Sequence, residues 1–190
     1  MKRNLPQVNS KAGFSGFTLA ELLIALALLG VIATFTIPKI LQANADQQKK
    51  ALLKETYAAL SAATYEGWMQ NVVSNRAAYF ATKMNAIKLC SNASSQGCWN
   101  APTSPLGDVM ESGFVLANGV EVAGINSAGT GPLYCYDAFE IDLNGTAPPN
   151  VVGDDEFTLI MYTGADCGPN MGKVIPFGAT SIAAFNKIFE

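Results

Sequence analysis

The sequence predicts an α+β protein, a long N-terminal helix followed by a small antiparallel sheet. Three observations carry this. Residues 17–38 form an apolar run of 22 residues whose single charge is Glu21. Beyond it, apolar residues recur near helical spacing, with no strong breaker before Gly67. After residue 110, β-branched and aromatic residues gather in short runs bounded by turn residues.

The apolar run comes first. At 1.5 Å per residue it makes a helix of about 33 Å, enough for a hydrocarbon core of about 30 Å. Lys2, Arg3 and Lys11 precede it without an acid, which places that flank in the cytoplasm and the remainder outside. A cleaved secretory signal is one alternative, with Ala43-Asn44-Ala45 as its site. The run exceeds the usual ~7–15 residues of such a signal, and it contains a carboxylate. A plain single-span anchor accounts for the length but leaves Glu21 without a role, and a carboxylate in a membrane is expensive. Gly30 and Pro38 are helix-breaking positions. Pro38 removes the bond to the Thr34 carbonyl at a cost of about 3 kcal/mol in a helix interior. Thr34 and Thr36 lie close enough to be expected to re-satisfy the freed groups.

The helix is expected to continue to about residue 70. Leu41, Ala45, Leu52, Ala59 and Ala63, with Tyr57, Leu60 and Trp68, recur near its period, and Gln42, Asp46, Lys50 and Lys54 lie among them. This second half is amphipathic and needs a folded partner rather than lipid. Residues 71–88 read as further helix and then loop. Charge divides along the chain. Residues 1–16 carry +3 and residues 17–38 carry −1. Residues 39–88 hold seven Lys/Arg and three acids, +4, and residues 89–190 hold two Lys and eleven acids, −9, which together give the net −3. The acidic half argues against direct binding of nucleic-acid phosphates, and attraction between the two halves is expected to add weakly to apolar packing.

Composition narrows the function. At 49% apolar and 14% charged the chain is not disordered. With no His it lacks Ser–His and Cys–His nucleophile activation and imidazole metal sites, which speaks against an enzyme. Asp154-Asp155-Glu156 reads as a solvated loop rather than a catalytic pair.

The sheet elements follow a loop over residues 90–110. Residues 114–117 and 120–125 flank Asn118-Gly119, a strong hairpin signal. Residues 133–143 and 156–163 are the best further strands, and 173–177 reads as a short edge piece. Four cysteines, Cys90, Cys98, Cys135 and Cys167, suit disulfides in an exported domain and permit three connectivities. Short separation favours Cys90–Cys98, leaving Cys135 with Cys167. Zinc is disfavoured because there is no His and no Cys-x-x-Cys. Asp142, Asn144, Thr146, Asn150 and Asp154 would offer oxygens to calcium, but the spacing fails the EF-hand pattern, and an Asn-Gly turn with solvated acids is the simpler reading. No other cofactor is expected.

Gly16-Phe17-Thr18-Leu19-Ala20-Glu21-Leu22 resembles the cleavage and methylation motif of type IV prepilins and type II secretion pseudopilins. A short basic leader ends in Gly, Phe follows, Glu comes five positions into the mature chain, and an apolar helix of the right length ends at Ile37-Pro38. Gly13-Phe14 is a second candidate, but cleavage there would put Glu21 at the eighth position. The resemblance implies a pilin-like fold and four regions: a leader at 1–16, a transmembrane and assembly helix at 17–41, its amphipathic continuation at 42–88 and an exported β-rich domain at 89–190. It implies a prepilin peptidase that cuts between Gly16 and Phe17 and methylates the Phe17 amine. It implies that Glu21 pairs with that amine, in its own subunit or a neighbour's, and that residues 30–38 can melt within a filament. The implied partners are other pilins or pseudopilins, the inner membrane, an assembly platform and an ATPase-driven machine. The alternative is a membrane-anchored adhesin or ligand-binding module, in which the helix only tethers.

Overall fold

A computed structural model describes residues 16–72, 76–99, 112–124, 136–145, 147–148, 150–162 and 168–189. The chain divides into two compact units, Met1–Ala45 and Asp46–Glu190. Helix α1, Leu19–Met69, begins in the first and ends in the second. In the first unit its large apolar residues are exposed throughout, and it is the one helix among the described residues long and apolar enough to cross a membrane.

Neither Gly30 nor Pro38 breaks α1. The Thr34 hydroxyl donates one turn back to the Gly30 carbonyl at 2.8 Å. It therefore reinforces the turn before the gap at Pro38 rather than serving the carbonyl that Pro38 frees, contrary to the expectation from sequence. The helix also passes the expected breaker at Gly67 and ends at Met69, two residues before its cap. Asn71 takes the left-handed conformation at φ 54°. Its N–H donates to the Trp68 carbonyl at 3.1 Å, and the Val72 N–H donates to the Gly67 carbonyl at 2.9 Å. Those two bonds form a Schellman C-cap that satisfies carbonyls the helix leaves open.

The second unit is built on a six-stranded antiparallel sheet, β1 Ala86–Cys90, β2 Gly113–Leu116, β3 Glu121–Ala123, β4 Tyr136–Asp142, β5 Glu156–Tyr162 and β6 Val174–Pro176. Each strand pairs with the next in sequence. The turn between β2 and β3 uses Asn118-Gly119 as expected, but in a three-residue loop. Gly119 at φ 88° donates to the Leu116 carbonyl, a conformation that a side chain would resist.

Period-two alternation sends Phe139 and Ile141 of β4, and Phe157, Leu159 and Met161 of β5, into one core. Leu53, Leu60 and Ala63 of α1 meet them there, spaced by seven and three residues so that they share a helix face. Each fully buried Phe or Leu contributes about 1.5–3 kcal/mol over leaving it in water, so this contact dominates the packing. On the other side of the sheet Cys90, Ala93, Cys98, Trp99 and Ala123 form a smaller cluster.

Residues 71–88 differ from the sequence reading. Their helix is α2, Arg76–Lys83, and the expected loop gives way to strand β1 from Ala86, so the sheet starts before residue 89. A C-terminal helix that the sequence reading lacked, α3 Ala179–Phe189, docks through the buried Phe185. The Phe185 ring lies edge-on to Tyr57 at 5.3 Å and to Phe157 at 5.5 Å.

Candidate functional site

The processing motif sits at the start of α1. Thr18 precedes the first helical residue, and Glu21 lies three positions on. The Thr18 N–H donates to Glu21 Oε2 at 2.8 Å, and the Thr18 hydroxyl donates to the same oxygen at 2.9 Å. In return the Glu21 N–H donates to Thr18 Oγ1 at 3.2 Å. This is a capping box, which satisfies helix N–H groups that would otherwise lack acceptors. The carboxylate also faces the positive end of the helix dipole, where negative charge is favoured. Glu21 therefore has a local role that the sequence reading missed, although Thr-x-x-Glu before an apolar run is its signal. The Phe17 nitrogen is a peptide nitrogen in the intact chain, so a charged pair with Glu21 requires cleavage first.

Gly16 and Phe17 lie just outside the helix. Phe17 is 81% exposed. A Cβ added at Gly16 would meet nothing within 4 Å. Packing among the described residues therefore makes no demand for glycine at 16.

A protein-family model, the prokaryotic N-terminal methylation motif, matches residues 11–37. The chain carries the type IV pilin and pseudopilin signature. The match takes in Lys11 of the basic flank, Gly16, Phe17 and Glu21, and the apolar run as far as Ile37, and it ends before the sheet. No curated protein and no solved structure matches. The motif belongs to structural precursors rather than to an enzyme class, and with the apolar helix it fits an inner-membrane-anchored precursor. The long helix with its antiparallel sheet is an α+β arrangement consistent with a pilin-like fold.

The acidic half behaves unlike its composition. Seven of its carboxylates fall within the described residues, and six of them, Glu121, Asp137, Glu140, Asp142, Asp155 and Glu156, are buried. Asp137 pairs with the equally buried Arg76 of α2. Strand register sets Glu121 opposite Asp142, and Asp142 opposite Glu156, so three acids cross β3, β4 and β5 in one row. Burial, opposed by N–H groups of Asn144 and Gly145, drives the Asp142 carboxyl up to about 6. Burial and the neighbouring charges of Asp142 and Asp155 drive Glu156 up to about 7.

The suggested calcium residues part company. Asp142 Oδ1 accepts from the Asn144 and Gly145 N–H groups at 3.0 and 3.1 Å. Gly145 has to be glycine: at φ 58° a Cβ would come within 2.8 Å of the Gly119 carbonyl. The Asn144 amide donates to Asp155 Oδ2 at 2.9 Å, and the Val151 N–H to Asp155 Oδ1 at 2.6 Å. Asp155, which sequence reasoning did not single out for this loop, thus organises it. Asp154 turns outward to Lys49 at 2.5 Å. Asn150 is half-buried and Thr146 lies outside the described residues. Among the described residues no group of three or more acids or cysteines is placed to hold a metal ion.

Cys90 and Cys98 form a disulfide at a Cα separation of 6.2 Å, as their spacing suggested. Cys135 and Cys167 lie outside the described residues.

Proposed function

We propose that this chain is a filament subunit of a type IV pilus or a type II secretion pseudopilus. A prepilin peptidase hydrolyses the Gly16–Phe17 bond and methylates the freed Phe17 amine. The mature protein waits in the inner membrane with its sheet domain outside, and an assembly platform then draws it into a filament with other pilins. There the α1 helices bundle, and the Gly30 to Pro38 stretch is where the backbone can melt as the subunit leaves lipid.

The observation that carries this reading is Glu21, the one charge in the apolar run, five positions from the methylation motif's Phe17 counting that residue as the first. A carboxylate in a layer of low dielectric is costly alone and favourable beside a cation. The amine released by cleavage is that cation. It gives Glu21 a partner on a neighbouring subunit and so a register for one helix against the next.

The test is Glu21→Ala in cells. Mass spectrometry should find the mature chain still beginning at methylated Phe17, while sheared filaments no longer contain it. Normal filament incorporation of the variant refutes the proposal, and unchanged function and localisation would favour a tethered binding module.

A further inference from the structure

The sequence suggests an acidic exported surface, and the structure turns that inside out. Six of the seven described carboxylates after residue 89 are buried, while in the second unit Lys50, Lys54, Lys83, Lys88, Lys173 and Lys187 are exposed and Lys49 is half-buried. Three of these lysines converge. A cleft of about 180 Å³ between α1 and α3 is lined by Lys49 and Lys50 from the first helix and Lys187 from the second. Asp46 and Asp154 also line it. Asp154 is occupied by Lys49, whereas Lys50 and Lys187 form no ion pair with described residues. The lining of the cleft therefore sets three lysines against two acids, and the two lysines without an ion pair stand on different helices.

The volume limits the occupant. Pockets that enclose drug-sized ligands run to about 300–1,000 Å³, so this one suits a small charged group. Lysine ammonium groups act as point charges well suited to phosphate. The supply of such a group follows from the anchored reading, on which this inference rests: Asp46 comes only eight residues after Pro38, the end of the apolar run. We propose that the cleft binds the phosphate of an anionic phospholipid headgroup through Lys50 and Lys187. Bound there, the headgroup would tie the start of the sheet-bearing unit to the membrane surface until the subunit is withdrawn into a filament.

The experiment uses the full chain in nanodiscs of phosphatidylcholine containing a minor share of phosphatidylglycerol, with retained lipids weighed by native mass spectrometry. Phosphatidylglycerol should be retained preferentially. Lys50→Gln and Lys187→Gln should each lower that preference about fivefold, the usual worth of one lysine at an anionic surface. Lys173→Gln, exposed but outside the cleft, should leave it unchanged, and Asp46→Asn should raise it. Inorganic phosphate at millimolar concentration should compete.

Equal retention of the two lipids overturns the proposal, as does a Lys50→Gln, Lys187→Gln double variant that matches the parent. Indifference to inorganic phosphate overturns the assignment to the phosphate group. Lysine-dependent binding of inorganic phosphate without lipid preference assigns the cleft to soluble phosphate and overturns the lipid source. The measurement needs neither cleavage nor filaments, so its failure leaves the filament reading standing, and failure of that reading is seen separately in the Glu21→Ala test.

Discussion

Replacing Glu156 by Gln should stabilise the protein at neutral and alkaline pH and do little at pH 4. Glu156 stands opposite Asp142 on β5, with one carboxylate oxygen buried and unpartnered. Its carboxyl titrates at about 7 in the folded chain, against 4.5 in an exposed one. The folded state thus holds the proton more tightly than the unfolded state. Below about pH 4 both states are protonated and the group is neutral in its effect. As pH rises from there, the unfolded chain ionises freely while the folded chain must either keep a proton or bury a charge, so stability falls until the pH passes 7. At about 1.4 kcal/mol per pKa unit, the loss from Glu156 is on the order of 3 kcal/mol. That is a large share of the ~5–15 kcal/mol that holds a domain together. Asp142 is also raised, and the two titrate as a pair, so their effects do not simply add. Thermal melts of the full chain in detergent, at half-unit steps from pH 4 to 8.5, compare parent and variant and isolate this group from other carboxylates. The parent should lose stability across pH 5–8 and the variant should lose distinctly less. Parallel pH profiles, or a variant less stable at pH 8, would refute the reasoning.

Two further outcomes test the packing. Leu60→Ala removes a fully buried side chain where α1 meets the sheet, and should cost about 2–5 kcal/mol in denaturant unfolding while leaving cleavage at Gly16 intact. Cys98→Ser opens the loop closed by Cys90 and should cost about 2–3 kcal/mol, with Trp99 fluorescence shifting to the red as its small cluster loosens.

The long elements were legible because local pattern and final environment agree in them. In α1 the helical spacing that includes Leu60 and Ala63 matches the buried face, although the residue buried one register earlier is Leu53 and not the expected Leu52. Asn118-Gly119 marks its turn, and β4 and β5 carry the aromatic and branched residues that a covered sheet selects. Strand β1 was hidden because it is an edge. Ile87 and Leu89 point outward, 70% and 52% exposed, with a bulge between Ala86 and Lys88, so no buried alternation marks it. Helix α3 is short, and among its residues only Ser181 and Phe185 are buried. At the motif, composition and spacing pointed to Glu21, but its bonds to Thr18 appear only once the helix start is fixed. The buried acids were misread for a physical reason: a carboxylate in a sequence is assumed to be solvated, and only the strand register places Glu121, Asp142 and Glu156 side by side.

A sheet in which every strand lies beside its predecessor can be assembled in the order in which it arrives. A chain made from its amino end delivers β1 first and β6 last, and each newcomer finds a waiting edge made by the segment just before it. Each step closes a connection of at most 22 residues, and the entropy of closure grows only slowly with that length. A long-range pairing would instead leave naked strands unpaired until distant sequence emerged. The meander spares this protein that interval, and with it the period in which unpaired edges invite aggregation.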